Sequence, residues 1–195
     1  MATWKKALEE GLVAGSVASV LSTVALAAEG RRETGSAYAP TNAVSHWLWG
    51  DEAFLHDEAD IMHTAAGYAI HHATSVFWAT LYSRFHGQKP MAKAPSRVIP
   101  AAAVASALAC FVDYRLTPRR LTPGFENRLS TPAMLTVYSA FGLGLALANL
   151  MMSDRNDVMP RQPVKADDGL SPIDVMQTAA DDTGARAEAA VDRQI

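Results

Sequence analysis

The sequence is short of cysteine and, over four long stretches, lacks charge altogether. Its single cysteine, Cys110, forms no disulfide within the chain, so it leaves the redox compartment open. The net charge is only −3, and no basic patch is interleaved with aromatic residues, which argues against nucleic acid as a partner. The sequence also lacks a nucleotide-binding glycine loop and any Ser-His-Asp or Cys-His motif. We therefore predict no enzymatic activity and no cofactor.

The stretches without Asp, Glu, Lys or Arg cover residues 11–28, 61–82, 98–112 and 131–152. About 20 apolar residues in a helix cross the hydrocarbon core of a bilayer, which is about 30 Å thick. The pattern therefore predicts an all-α fold, an integral membrane four-helix bundle with helices over about 8–28, 61–82, 98–112 and 131–152. We expect these helices to form one transmembrane domain, residues 1–152.

Two polar segments lie outside the predicted helices. The first connection contains Pro40, followed by Trp47 and Trp49. Because tryptophan favours the membrane–water interface, this segment predicts a short interfacial helix, with an ordered loop as the alternative. Residues 153–195 are polar and have no aromatic side chain, which predicts a disordered C-terminal tail.

Small residues predict close helix packing. They recur every four positions along the first stretch, at Gly11, Gly15, Ser19 and Thr23. We expect Gly15, and Gly144 on the fourth stretch, to lie at helix–helix contacts. The first stretch also ends in an Ala-Leu-Ala sequence that resembles a signal-peptidase site. Because Glu9 and Glu10 stand where a signal peptide carries positive charge, a retained helix is favoured over a cleaved signal.

The connection between the second and third stretches is basic and contains no acid. Its charges are Arg84, Lys89, Lys93 and Arg97. Loops rich in Lys and Arg stay on the cytoplasmic side, so we expect this loop and both termini to be cytoplasmic. The predicted location is the bacterial inner membrane, as a multi-pass protein. The predicted partners are the lipid bilayer and a second copy of the chain or another membrane protein.

Three histidines, His63, His71 and His72, lie on the second uncharged stretch. An ionisable residue at membrane depth is a functional candidate, and His63, His71 and Ser75 share one helical stripe. Interhelical hydrogen bonding, proton transfer or pH sensing, and metal or haem ligation are three alternative roles. The other stretches contain no histidine, so we expect neither metal nor haem.

Asp113 follows the third stretch directly and, in the expected topology, reaches the same membrane face as His63. We therefore expect Asp113 to lie within hydrogen-bonding distance of His63, directly or through water. Three arginines follow at the same face, at Arg115, Arg119 and Arg120. They are candidates for contacts with an anion or with lipid headgroups, and the alternative is that they fix the first connection in place.

Three pieces of the sequence, taken in order, carry a resemblance to a known protein family. They are the Gly11-xxx-Gly15 helix with its long following connection, the segment 63–84, and Leu121-Thr122-Pro123-Gly124-Phe125-Glu126. Over about residues 8–150 this layout resembles the YagU family of small bacterial inner-membrane proteins. The resemblance implies a four-helix inner-membrane protein linked to acid tolerance, and it supplies no catalytic residues.

Three functions remain open at this point. The first is a non-enzymatic inner-membrane protein with a structural or acid-stress role. The alternative is a small transporter or channel component that moves protons or a small solute along the histidine stripe. A haem- or quinone-linked redox subunit is the third.

Overall fold

A computed structural model describes residues 3–87, 92 and 94–158, with side chains described as far as residue 152. Within these residues every regular element is helical. Three helices are long and apolar enough to cross a membrane, and they cover Trp4–Thr34, Pro95–Arg115 and Thr131–Met152. This confirms the predicted all-α class and is compatible with a membrane protein.

Six α-helices make up the described chain. They are α1 (Trp4–Thr34), α2 (Ala39–Val44), α3 (His46–Trp49), α4 (Ala66–Tyr82), α5 (Pro95–Arg115) and α6 (Thr131–Val158). Single π-helical turns, Ile61–Ala65 and Ser83–Gly87, extend α4 at both ends. Short 3₁₀ helices cover Gly50–Leu55, Arg119–Leu121 and Phe125–Asn127.

The helix ends follow from local chemistry. The Thr3 hydroxyl accepts a hydrogen bond from Lys6 N–H at the start of α1, and Gly35 ends the helix with a φ of 80°, a left-handed conformation that suits glycine. Asp60 caps the helical segment that leads into α4 by accepting from Met62 N–H. Pro95, at the start of α5, needs no hydrogen-bond partner there because proline has no N–H.

The uncharged stretches locate the helices correctly, although α1, α5 and α6 are longer than predicted and α4 begins at Ala66, after a π-helical turn. Helix α1 begins at Trp4 and ends at Thr34, where an ion pair between Arg32 and Glu29 (2.5 Å) lies on the final turns. Helix α5 begins at Pro95, before the predicted start at 98, and it contains Pro100. Helix α6 continues to Val158, past the predicted end at 152. The predicted disordered tail otherwise lies outside the described residues.

Helix α1 packs against both α4 and α6, and α6 also packs against α5. Glycines allow these close approaches, as predicted for Gly15 and Gly144. A Cβ atom on Gly15 would lie 2.5 Å from Val76 Cα, and one on Gly144 would lie 2.4 Å from Ala18 Cα. Since both neighbours are backbone atoms, neither contact could relax by moving a side chain, so the prediction is confirmed.

Two apolar clusters fill the interior. One surrounds Leu145 and joins α1, α4, α5 and α6. The other surrounds Leu26 and Phe125, and it joins α1, α2 and α6 to the connection before α6. At the same end, the Glu33 carboxylate accepts hydrogen bonds from the backbone N–H (2.7 Å) and hydroxyl (2.6 Å) of Ser130. The end of α1 is therefore fixed to the start of α6.

Candidate functional site

The three predicted histidines of the segment 61–87 lie in three different environments. His63, in the first π-helical turn, is buried, and its Nδ1–H donates to Asp60. His71 is half-buried, and its Nε2 lies 2.8 Å from the Ser22 hydroxyl of α1. The His72 ring is 5.8 Å from the Tyr68 ring on its own helix. The histidines therefore do not form a single site.

His71 lies at the edge of a cavity of about 360 Å³. The walls come from α4, α5 and α6, and residues 117–125 close one side. Most lining side chains are apolar, and several are aromatic, including Trp47, Trp78, Phe125 and Phe141. Helices α4 and α5 make few contacts with each other, which leaves this space between them. Small-molecule sites commonly have volumes of about 300–1,000 Å³ and mostly apolar walls.

Few polar side chains reach the cavity. They are Ser22, His71, Thr74, Ser75, Asp113, Thr117 and Tyr138. The predicted candidates His71, Ser75 and Asp113 thus meet in one place, whereas His63 and His72 do not line it. An apolar space with a few convergent hydrogen-bonding groups favours an amphipathic small molecule over an ion.

Asp113 has a different partner from the one predicted. Its carboxylate accepts a hydrogen bond from the Tyr138 hydroxyl of α6 at 2.6 Å. His63 is paired instead with Asp60, three residues earlier in the chain. The direct form of the predicted hydrogen bond between His63 and Asp113 is therefore wrong, and the form through water stays a prediction. Placing both residues at one membrane face did not establish that their side chains turn towards each other.

Asp60 is held as a carboxylate. The hydrogen bond from His63 and that from Met62 N–H keep the pKa of Asp60 below its ordinary value of 3.8. Asp60 is therefore ionised at neutral pH. Among the described residues, His56, Asp60 and His63 place possible metal-ligand atoms within 4.8 Å of one another.

The predicted arginines separate into two groups. Arg115, Arg119 and Arg120 are all exposed to solvent, and they differ in their contacts. Arg120 donates to the backbone carbonyl of His46, which supports the alternative that arginine fixes the first connection in place. Arg128, which the sequence did not single out for this role, donates to Phe54 O and to the Asp57 carboxylate. In return, Trp47 of the first connection donates from its Nε1–H to Thr122 O, in the connection before α6, at 2.8 Å.

Sequence reasoning missed three participating residues, Ser22, Tyr138 and His56. Ser22 and Tyr138 each carry a hydroxyl group within an uncharged stretch, so the sequence itself marked them as candidates for polar contacts. His56 lies outside the uncharged stretches, although the spacing His56-xxx-Asp60-xx-His63 brings three ligand types together within eight residues. No family model matches the chain, and neither a curated protein nor a solved structure matches it.

Proposed function

We propose that the chain is an integral membrane protein, a four-helix bundle of α1, α4, α5 and α6, that binds a small amphipathic molecule between α4 and α5. Helix α4, of 17 residues, would be the fourth span, lengthened by its flanking π-helical turns. Large apolar side chains are exposed on all four helices, for example Val24, Phe77, Val104 and Leu143. Lipid contact accounts for so much exposed apolar surface.

We also propose interfacial positions for α2 and α3, a membrane topology, and retention of α1. Helices α2 and α3 would lie at the interface, where the half-exposed Trp49 and the exposed Leu48 contact headgroups and acyl chains. The basic connection before α5 would be cytoplasmic, together with both termini, in a bacterial inner membrane. Helix α1 would be retained, since Gly15 and Ala18 pack against α4 and α6. The acid-tolerance role implied by the resemblance stays a prediction.

The cavity is the observation that carries the binding proposal. Its apolar walls suit a hydrocarbon or aromatic portion of a ligand, while His71, Asp113 and Tyr138 can exchange hydrogen bonds with a polar group. These polar side chains are paired with protein partners, His71 with Ser22 and Asp113 with Tyr138. The Ser22 hydroxyl donates its proton to Ala18 O at 2.8 Å and not to His71, so this serine is not activated as a nucleophile, which supports a non-enzymatic role.

Movement of protons or solute along the whole histidine stripe has weaker support. Towards the start of α4, the histidine stripe continues from His71 to Gly67. A Cβ atom added to Gly67 would lie 2.0 Å from Thr41 O of α2. Ser75, on the other side of His71, is buried beside Gly15 of α1, where an added Cβ would lie 3.0 Å from Ser75 O. These helix contacts leave little room for a continuous water-filled path, so we favour binding over conduction.

A reporter-fusion experiment tests the membrane arrangement. Fusions of alkaline phosphatase, active outside the cytoplasm, and of a fluorescent protein, active inside it, are made after residues 90 and 160. Both positions should give cytoplasmic signals, because α5 and α6 would cross the membrane between them. Opposite compartments for the two positions would contradict the four-span arrangement.

Native mass spectrometry of protein extracted in polymer-bounded lipid discs tests the binding site. The parent should carry a bound small molecule, and Ala109→Phe should lose it, because the buried Ala109 lines the cavity. Ala107→Phe, on the exposed face of the same helix, is the matched control and should retain the molecule. His71→Ala removes one hydrogen-bonding side chain from the cavity wall without filling the cavity. Equal retention by all three variants, or no bound molecule in the parent, would refute the proposed site.

A further inference from the structure

A second cluster of polar side chains lies away from the cavity, where the first connection meets the segment 61–87. His56 follows the 3₁₀ helix Gly50–Leu55, Asp60 caps the π-helical turn Ile61–Ala65, and His63 lies in that turn. One ligand atom from each residue lies within 4.8 Å of the other two. The three side chains combine two imidazoles with a carboxylate, a donor set common in transition-metal sites.

The histidine pair is arranged with one ring buried and one ring accessible. The His56 and His63 rings stack with centroids 3.7 Å apart and planes inclined by 17°. His63 is 7% exposed, whereas His56 is exposed to solvent. An ion could therefore enter from the His56 side and reach a donor that is already fixed in the protein interior.

One nitrogen of His63 has an unused hydrogen-bonding capacity. Its Nδ1–H donates to Asp60, and its Nε2 is buried with no hydrogen-bond partner in the described part of the chain. A neutral imidazole carries a proton on one nitrogen and a lone pair on the other. An ion can therefore replace the proton on Nδ1, beside the Asp60 carboxylate, while Nε2 takes the proton instead.

The backbone that carries His56 is held by a buried side chain. Asn42 of α2, which is inaccessible to solvent, donates from Nδ2 to His56 O (2.9 Å) and to Glu58 O (2.8 Å). Its Oδ1 accepts from the Thr64 hydroxyl at 2.6 Å. Asn42 therefore fixes both chain segments that supply the cluster. Such support of the ligand-bearing backbone is what a preorganised metal site requires.

We propose that His56, Asp60 and His63 bind one divalent transition-metal ion, with zinc the best fit to this donor set. Zinc bonds to nitrogen and oxygen at about 2.0–2.2 Å, which places ligand atoms of a tetrahedral site about 3.3 Å apart. The ion would take the place of the proton between His63 Nδ1 and the Asp60 carboxylate, so that both become ligands, and His56 would supply the third. Three protein ligands leave a fourth position for water. The bound ion would link the first connection directly to the start of the segment 61–87.

Zinc binding to the full-length protein in detergent tests the proposal. The protein carries a histidine-free purification tag, is treated with a chelator, and is titrated with Zn²⁺ against a chromophoric competitor. The parent should bind one equivalent, and its melting temperature should rise with zinc concentration. His56→Ala removes an exposed ligand and is expected to fold, so it should weaken zinc binding at least tenfold and abolish the shift.

Two further measurements make the result specific. His86→Ala is the matched control, because His86 lies in the π-helical turn beyond the other end of α4, with its ring 5.3 Å from Tyr82. This variant should bind zinc like the parent. Co²⁺ should give visible d–d absorption bands in the parent that are absent from His56→Ala and Asp60→Asn. Absence of zinc binding in the parent, or equal binding by parent and His56→Ala, would overturn the proposal.

Discussion

Gly144 of α6 lies against Ala18 of α1 so closely that a Cβ atom on the glycine would be 2.4 Å from the alanine Cα. The neighbouring atoms are backbone, so a larger residue can be accommodated only if the helices separate. Together with Gly15 against Val76, this contact places α1 between α4 and α6. The spacing of small residues along α1 is therefore a direct determinant of the fold.

Substitution of these glycines by alanine should destabilise the protein in a graded way. Gly15→Ala and Gly144→Ala should each lower the free energy of unfolding by about 1–3 kcal/mol, the usual range for overpacking. Gly142→Ala is the matched control, since its added Cβ would lie 3.1 Å from Ser106 Cβ, a side-chain atom. Thermal unfolding in detergent should rank Gly142→Ala closest to the parent. The opposite ranking would show that α1 does not make these contacts.

Two neighbouring tyrosines, Tyr138 and Tyr114, should respond differently to loss of their hydroxyl groups. Tyr138→Phe removes the hydroxyl that donates to the Asp113 carboxylate and should destabilise the protein by about 1–2 kcal/mol. The buried Tyr114 hydroxyl makes no hydrogen bond to a carboxylate among the described residues, so Tyr114→Phe should cost less stability than Tyr138→Phe. The two rings are 6.1 Å apart, which makes the variants closely matched. Equal melting temperatures for both variants would contradict the Asp113–Tyr138 hydrogen bond.

Asn42 should contribute more to stability than any single surface amide. Asn42→Ala removes three hydrogen bonds and leaves buried groups unpaired, so we expect a loss of about 2–4 kcal/mol. Asn127→Ala is the control, because the exposed Asn127 bonds only to the nearby Gly124 O at 3.1 Å. Limited proteolysis should show faster cleavage within residues 50–60 for Asn42→Ala alone. Unchanged cleavage there would mean that Asn42 does not hold the connection.

The positions of the long helices could be predicted from sequence because the absence of charge is a strong and local signal. Their ends could not, since charged residues such as Arg32 continue α1 by pairing with Glu29 on the preceding turn. The candidate site was only partly predictable. Sequence shows that Asp113 and His71 are unusual in an apolar helix, but partners such as Tyr138 and Ser22 depend on how neighbouring helices are rotated. Helical rotation is set by packing across the whole interface, and no single segment encodes it.

The central place of α1 also has a consequence for how the chain is made. Helix α1 is synthesised before the other described helices, whereas one of its two main partners, α6, is the last of them. At a translation rate of about 5–20 residues per second, α1 leaves the ribosome several seconds before α6 exists. During that interval its small-residue face and the side chains of Glu10 and Ser22, buried in the finished protein, lack their final surroundings. The contact between α1 and α6 therefore forms only after most of the described chain has been synthesised.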